Sequence, residues 1–165
     1  DVRRVALERR YRLDLETADG STTAVVDVVG VSERWLGSRA IWRTADLVEA
    51  VVSHADPSSI GMAAVAATFG PLAEGAARYL AFGEGDPVKA AFGPGLIAEV
   101  SVSAVRDVGL GEEVRLDSRT GVVALDGERR VLGGAAARVV GRPGPFAFDP
   151  GAALLSAFGS ARRPT

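Results

Sequence analysis

The sequence predicts a mainly β domain, a β-sandwich with two or three peripheral helices, and three observations lead to this fold class. Apolar and polar residues alternate in several short runs, turn residues separate these runs, and an Asp-Gly pair at 126–127 lies between two apolar runs. Period-2 alternation is typical of strands with one solvated face, and Asp-Gly between β-forming residues is a strong hairpin signal. About eight short strands follow from these patterns.

The first predicted element is a strand over residues 9–16, where Tyr11, Leu13 and Leu15 alternate with charged residues. Residues 18–21 form a turn, and a second strand is predicted over 23–31. Its nearly continuous valine run indicates a strand that is buried on both faces. We therefore expect the first two strands to form a hairpin.

The pattern then changes to a helical period over residues 44–55. Leu47, Val48, Val51 and Val52 recur at three- and four-residue spacing, which predicts an amphipathic helix. His54 would lie on its last turn. Residues 58–71 are rich in small side chains, and their spacing assigns them to no element.

The second half of the chain is predicted to be a β-meander that ends in a helix. Its strands are predicted at 77–83, 88–92, 96–105, 114–116 and 135–140, with the hairpin around residue 126 among them. Residues 141–145 contain two glycines and two prolines, so we predict a loop there, because proline has no N–H to donate. A closing helix is predicted from Asp149 to Gly159.

Composition limits both the architecture and the function. The chain has 165 residues with 47% hydrophobic and 24% charged residues, which predicts one domain over 1–160 and a flexible tail over 161–165. No apolar run approaches the roughly 20 residues of a membrane span, and the net charge of -2 argues against a nucleic-acid partner. We expect a cytoplasmic protein.

Residue content also argues against metal and thiol chemistry. The chain contains no cysteine and one histidine, so disulfides, thiolate metal sites and a cysteine nucleophile are excluded, and we predict no metal site. Because the sequence begins at Asp1 rather than at Met, we expect it to be a piece of a longer protein.

Asp126 and Glu128 are the acids at the predicted hairpin tip, where the turn would lift both out of the sheet. An ordinary β-turn is the alternative for Asp-Gly alone. The whole segment Gly121-Val-Val-Ala-Leu-Asp-Gly-Glu128 resembles a segment of the ATP-NAD kinase superfamily, in particular the branch that includes acetoin catabolism protein X. The resemblance covers about residues 25–155.

The resemblance implies a β-rich C-terminal domain whose active site lies in a cleft shared with an N-terminal nucleotide-binding domain of the same protein. The implied reaction is transfer of the γ-phosphoryl group of ATP, with Mg²⁺, to a hydroxyl of NAD or a similar acceptor. By its match to the family motif, Asp126 would be the catalytic carboxylate. Gly127 would contact the acceptor, and Glu128 would hold the acceptor or a metal-bound water.

A second segment, residues 31–42, also resembles this family. Arg39 is the better candidate for a substrate contact, because a guanidinium can bind phosphate oxygens through two parallel bonds. A surface Arg39 paired with an acid is the alternative. Glu33 stands close to the place of a ligand-binding Asn-Glu pair in NAD kinases, and Trp35 and Trp42 are interpreted as packing residues.

The phosphate-binding Gly-Gly-Asp-Gly motif of the resembled family is absent, and only Gly133-Gly134 comes near it. We therefore expect no phosphoryl transfer by this chain alone. Two other functions stay open at this point. The domain could bind a nucleotide without catalysis, or it could serve mainly in homo-oligomer contacts, and we expect a homo-oligomer.

Overall fold

The computed structural model describes residues 7–32, 43–127, 129–132 and 138–148. Its strands are β1 (Leu7–Thr17), β2 (Gly20–Ala24), β3 (Asp27–Val31), β4 (Leu47–Val52), β5 (Ala76–Gly93), β6 (Leu96–Gly109), β7 (Glu113–Arg115), β8 (Val122–Leu125), β9 (Arg129–Leu132) and β10 (Arg138–Phe148). A 3-10 turn, Thr44–Asp46, precedes β4. Within the described ranges the α-helical residues are those of α1 (Met62–Ala67).

The strands form two antiparallel sheets. The four-stranded sheet has the order β2-β1-β10-β7, and the six-stranded sheet has the order β6-β5-β4-β3-β8-β9. Strands that follow one another in sequence are mostly neighbours, as in a meander, while β10 returns to pair with β1. The mainly β fold class is confirmed.

The central strands of the six-stranded sheet, β3, β4 and β8, are buried on both faces. One face packs against the four-stranded sheet through residues that alternate along the strands, and this core includes Leu13, Leu15, Val28, Val51, Val123, Leu125 and Val139. The other face packs against α1, and this second core includes Val29, Val31, Ala50, Val52, Met62 and Val65. Burial of both faces explains why these strands are nearly continuous apolar runs.

The predicted first hairpin is confirmed, but its second strand is shorter than expected. β1 pairs with β2, and Leu13 and Leu15 are fully buried. The predicted strand over 23–31 divides at Val25–Val26, because β2 belongs to the four-stranded sheet and β3 to the six-stranded one. We call Val25–Val26 the crossover turn.

The predicted helix over 44–55 is wrong. Residues 47–52 form β4, which pairs with β3 and β5, and all six of its residues are buried. Spacing could not separate helix from strand here, because nearly every residue of the run is apolar and no polar face marks the period. His54 therefore follows a strand, and its Nε2 lies 3.6 Å from Asp56 Oδ2.

The unassigned small-residue segment contains α1, and a buried arginine holds the end of this helix. Arg78 on β5 is 4% exposed and donates to the carbonyl oxygens of Ala66, Gly70 and Pro71. Its remaining donors bind Asp107 on β6. One guanidinium thus joins the helix end, the following loop and two strands.

The segments 77–83 and 88–92 belong to one long strand rather than two. β5 runs from Ala76 to Gly93, and its pairing with β6 shifts register between Phe82 and Asp86. A Cβ on Gly85 would lie 2.1 Å from the carbonyl oxygen of Val102, so the strands approach each other too closely there for any other residue. Turn-forming residues mark an irregularity within a strand here.

The predicted loop over 141–145 is also wrong, since these residues lie within β10. Gly141 pairs with Leu13 and Pro143 with Tyr11 on β1. Proline is tolerated because the register shifts at this point, as expected at a β-bulge. The predicted closing helix from Asp149 and the tail over 161–165 lie outside the described residues.

Candidate functional site

The predicted hairpin tip is present, and its backbone conformation is the one expected for Asp-Gly. β8 pairs with β9, and Asp126 and Gly127 have φ values of 52° and 69°. Positive φ strains residues other than glycine, and Asp tolerates it better than most. Leu125 pairs with Arg129, so three positions connect the strands rather than the two of a type I′ turn.

Asp126 does not simply project from the tip, because its carboxylate binds the crossover turn. Its Oδ1 accepts hydrogen bonds from the backbone N–H groups of Val25 at 2.9 Å, Val26 at 2.8 Å and Asp27 at 3.4 Å. Its own N–H donates to the carbonyl oxygen of Asp27 at 3.0 Å. These bonds offset the strain at Asp126 and join the β8–β9 hairpin to the turn between β2 and β3.

A second carboxyl, Asp27, lies beside Asp126 and has a very different environment. Its Oδ1 is buried and has no hydrogen-bond partner among the described residues. Burial, and secondarily the negative charge of Asp126, raise the pKa of Asp27 to about 7. A proton can therefore be held at this position near neutral pH.

A third carboxyl, Glu49, is the centre of a buried polar network between the sheets. It is 1% exposed and accepts bonds from the Tyr79 hydroxyl at 3.2 Å, the Asp117 N–H at 2.7 Å and the Thr120 hydroxyl at 2.7 Å. Burial and then the Glu49 charge raise the pKa of Tyr79 to about 12. Three donors make Glu49 a structural anchor for the 117–120 turn.

Among the predicted site residues, the structure describes Asp126 and its neighbour Gly127. Gly127 is exposed, and a Cβ there would meet nothing within 4 Å, so lack of space does not require glycine at this position. Its positive φ does, because glycine adopts this conformation without strain. Glu128, Arg39 and Glu33 lie outside the described residues.

Sequence reasoning did not single out Asp27 or Glu49. The sequence carries a signal for both residues, because each is an acid within a valine-rich strand segment. Glu49 falls within the predicted helix over 44–55, and the structure has the strand β4 there instead. A correct assignment of β4 would have placed Glu49 in a buried strand.

Comparison with known proteins now gives the family. The family described as "Acetoin catabolism protein X C-terminal domain" matches residues 11–142, which include the crossover turn, Glu49 and the Asp126 hairpin. The chain belongs to this family.

One relative is acetoin catabolism protein X of Cupriavidus necator, which is 37% identical over 140 residues. The match covers 78% of this chain and 39% of the relative's length, so most of the relative lies outside it. No solved structure matches the chain. The C-terminal-domain part of the predicted identity is confirmed.

The described part of the domain contains neither a metal-binding cluster nor a membrane-spanning helix. In the described ranges, no three His, Asp or Glu side chains come together in a way that could hold a metal ion. No helix in that part of the chain is long and apolar enough to cross a membrane.

Proposed function

We propose that this domain supplies the acceptor side of an ATP-dependent phosphotransferase, whose nucleotide-binding side lies in an N-terminal domain of the same protein. The observation that carries the proposal is the Asp126 carboxylate, held at a hairpin tip by three backbone N–H groups. The resemblance of residues 121–128 to the ATP-NAD kinase superfamily supports it. NAD or a similar hydroxyl compound is the proposed acceptor.

In the proposed reaction the acceptor hydroxyl attacks the γ-phosphorus of ATP, the bond to the bridging oxygen breaks, and ADP leaves. The hydroxyl proton passes to a positioned carboxylate, a role that we assign to Asp126. Its backbone hydrogen bonds fix the orientation of that carboxylate before the acceptor arrives. Gly127, Glu128, Arg39 and Glu33 are proposed as acceptor contacts.

ATP and Mg²⁺ are assigned to the N-terminal domain in this proposal. The described residues bring no metal-binding cluster together, and the sequence contains no Gly-Gly-Asp-Gly segment to surround phosphates. When bound, Mg²⁺ would neutralise charge on the phosphates. The residues of this domain would orient the acceptor and receive its proton.

The decisive test is phosphoryl transfer by the full-length protein carrying Asp126→Asn. The amide oxygen can still accept the crossover-turn bonds, so we expect the fold to survive and transfer to fall by a factor of about 100 or more, since loss of a general base costs this much. Asp19→Asn, at an exposed turn, is the matched control. Isothermal titration of the chain with NAD, NADP and ATP–Mg²⁺ tests acceptor binding.

Unchanged transfer in a folded Asp126→Asn protein would contradict the proposal and leave Asp126 as a structural link only. A loss of folding in that variant would be seen by circular dichroism, and Asp126→Glu then separates the loss of fold from the loss of a carboxylate.

One observation favours a second candidate, a non-catalytic domain for self-association. β6 lies at the edge of the six-stranded sheet, as far as the described residues show, and Leu96 and Ile97 at its start are 48% and 65% exposed. Unpaired edges with apolar side chains readily pair with another chain. The oligomeric state of the chain tests this candidate.

A further inference from the structure

A cavity of about 470 Å³ lies where the start of β1, the residues after β4 and the loop before β5 come together. Its polar lining includes Arg10, Tyr11, Ser53, His54 and Glu74, and Leu72 contributes to an apolar wall. Small-molecule sites commonly enclose about 300–1,000 Å³ and combine apolar walls with a few polar groups. The cavity has the size and the mixed lining of such a site.

Two of its walls are fixed by partly buried hydrogen bonds. The loop before β5 is held by Arg78, which donates to Gly70 at 2.7 Å and Pro71 at 3.3 Å. Ser53 is held by the crossover turn, since its hydroxyl donates to the Val25 carbonyl at 2.9 Å and its N–H to the Val26 carbonyl at 2.9 Å. The cavity is therefore largely pre-formed.

The third wall carries Arg10 at a bulge between β1 and β10. Arg9 pairs with Phe146 and Tyr11 with Pro143, so two residues of β10 oppose Arg10. One of them is Gly144, where a Cβ would lie 2.6 Å from the Arg10 carbonyl oxygen. Bulges frequently re-aim a side chain beside a functional site, and this one sets the direction of a cation that lines the cavity.

The chemistry of the lining selects a class of ligand. The Arg10 guanidinium on one wall can bind phosphate oxygens through parallel charge-assisted bonds, and His54 lies on another wall with its Nε2 3.6 Å from Asp56 Oδ2. Glu74 and Tyr11 offer hydrogen-bonding oxygens to ligand hydroxyls. We propose that this cavity binds a small organic phosphate that carries hydroxyl groups, of the sugar-phosphate class.

The test uses the single histidine of the chain, whose imidazole NMR signals need no assignment. Ribose 5-phosphate is titrated into the chain at constant pH and ionic strength. We expect saturable shifts of the His54 signals, and at least tenfold weaker binding in Arg10→Gln. Arg119→Gln is the matched control, because Arg119 is exposed, pairs with Asp117 and does not line the cavity.

Three outcomes would overturn the proposal. The first is that ribose 5-phosphate causes no saturable shift of the His54 signals up to about 10 mM, a concentration at which a specific site should bind. The second is equal affinity for inorganic phosphate, which means an adventitious ion only, and the third is unchanged binding in Arg10→Gln. Arg10→Lys keeps the charge without the planar donor geometry, and it replaces Arg10→Gln if that variant fails to fold. No ATP is present, so the result is independent of the phosphoryl-transfer assay.

Discussion

At the scale of single residues, two neighbouring aspartates have opposite environments. Asp126 Oδ1 has three N–H donors, whereas Asp27 Oδ1 is buried with no partner among the described residues. Burial disfavours the charged form of a carboxyl, and burial, followed by the negative charge of Asp126, raises the pKa of Asp27 to about 7. This raised pKa has a consequence for stability.

We predict that Asp27→Asn stabilises the chain at alkaline pH. The pKa of Asp27 in the folded state, about 7, exceeds its ordinary value of 3.8, so the folded state holds this proton more tightly than the unfolded state does. The folded state therefore loses stability relative to the unfolded state as the pH rises from 3.8 through about 7. Asparagine removes this ionisation. At pH 8 the free energy of unfolding in urea should rise by about 1–4 kcal/mol, at 1.36 kcal/mol per pKa unit.

Near pH 4 the difference between Asp27→Asn and the wild type should be small, because the native carboxyl is then protonated. Asp19→Asn, which removes a carboxyl at an exposed turn, is the matched control. An Asp27→Asn variant that is equally destabilised at both pH values would contradict the prediction.

At the scale of secondary structure, sequence predicted the elements in which period and turn residues agreed. The β1 alternation around Leu13 and Leu15 and the Asp126-Gly127 hairpin are of this kind. β4 was missed because a six-residue apolar run fits a helix and a strand equally well. Residues 141–145 were missed because two prolines suggest a loop, and only the pairing with β1 reveals a strand with a bulge.

The candidate site was predictable only in part, because local sequence patterns do not contain the pairing of distant residues. The Asp126 turn is a local property of two residues and was found from sequence. Its hydrogen bonds to Val25 and Val26 join positions about 100 residues apart, and no local pattern contains that information. Glu49 was assigned to the wrong element, so its partners could not be foreseen.

We predict that Gly30→Ala destabilises the junction of β3 and the Glu49 network. A Cβ on Gly30 would lie 2.6 Å from Thr120 Oγ1 and 2.9 Å from its Cγ2, and such overpacking costs about 1–3 kcal/mol. Urea unfolding measures the loss. Gly109→Ala is the matched control, because its φ is not positive and a Cβ there meets nothing within 4 Å.

A double variant shows whether the clash with Thr120 is the cause. We expect the double variant Gly30→Ala/Thr120→Ala to lose less free energy of unfolding than the sum of the losses in the two single variants. The reason is that Thr120→Ala removes the side-chain atoms that the new Cβ at position 30 meets. Strict additivity of the two losses would contradict this explanation.

At the scale of the whole molecule, the central strands of the six-stranded sheet are covered on both faces, while most of β6 at its edge is exposed in the described structure. The exposed apolar residues of β6 are Leu96, Ile97 and Val105. These residues form the self-association patch of the second candidate function.

If that candidate is correct, Ile97→Lys should weaken dimerisation at least tenfold in sedimentation equilibrium, because a charge would be buried in an apolar contact. Phe146→Lys, at an equally exposed apolar residue of the four-stranded sheet, is the matched control. A wild-type chain that is monomeric at all concentrations would exclude self-association through this edge.

The crossover turn determines how the domain can move. The Ser53 hydroxyl donates to the carbonyl oxygens of Val25 and Val26 in the turn, and the Asp126 carboxylate accepts from the N–H groups of the same two residues. A connection that is held in this way from both sides cannot act as a hinge, because any rotation of its peptide groups would break bonds on one side or the other. The two sheets should therefore move as a rigid body.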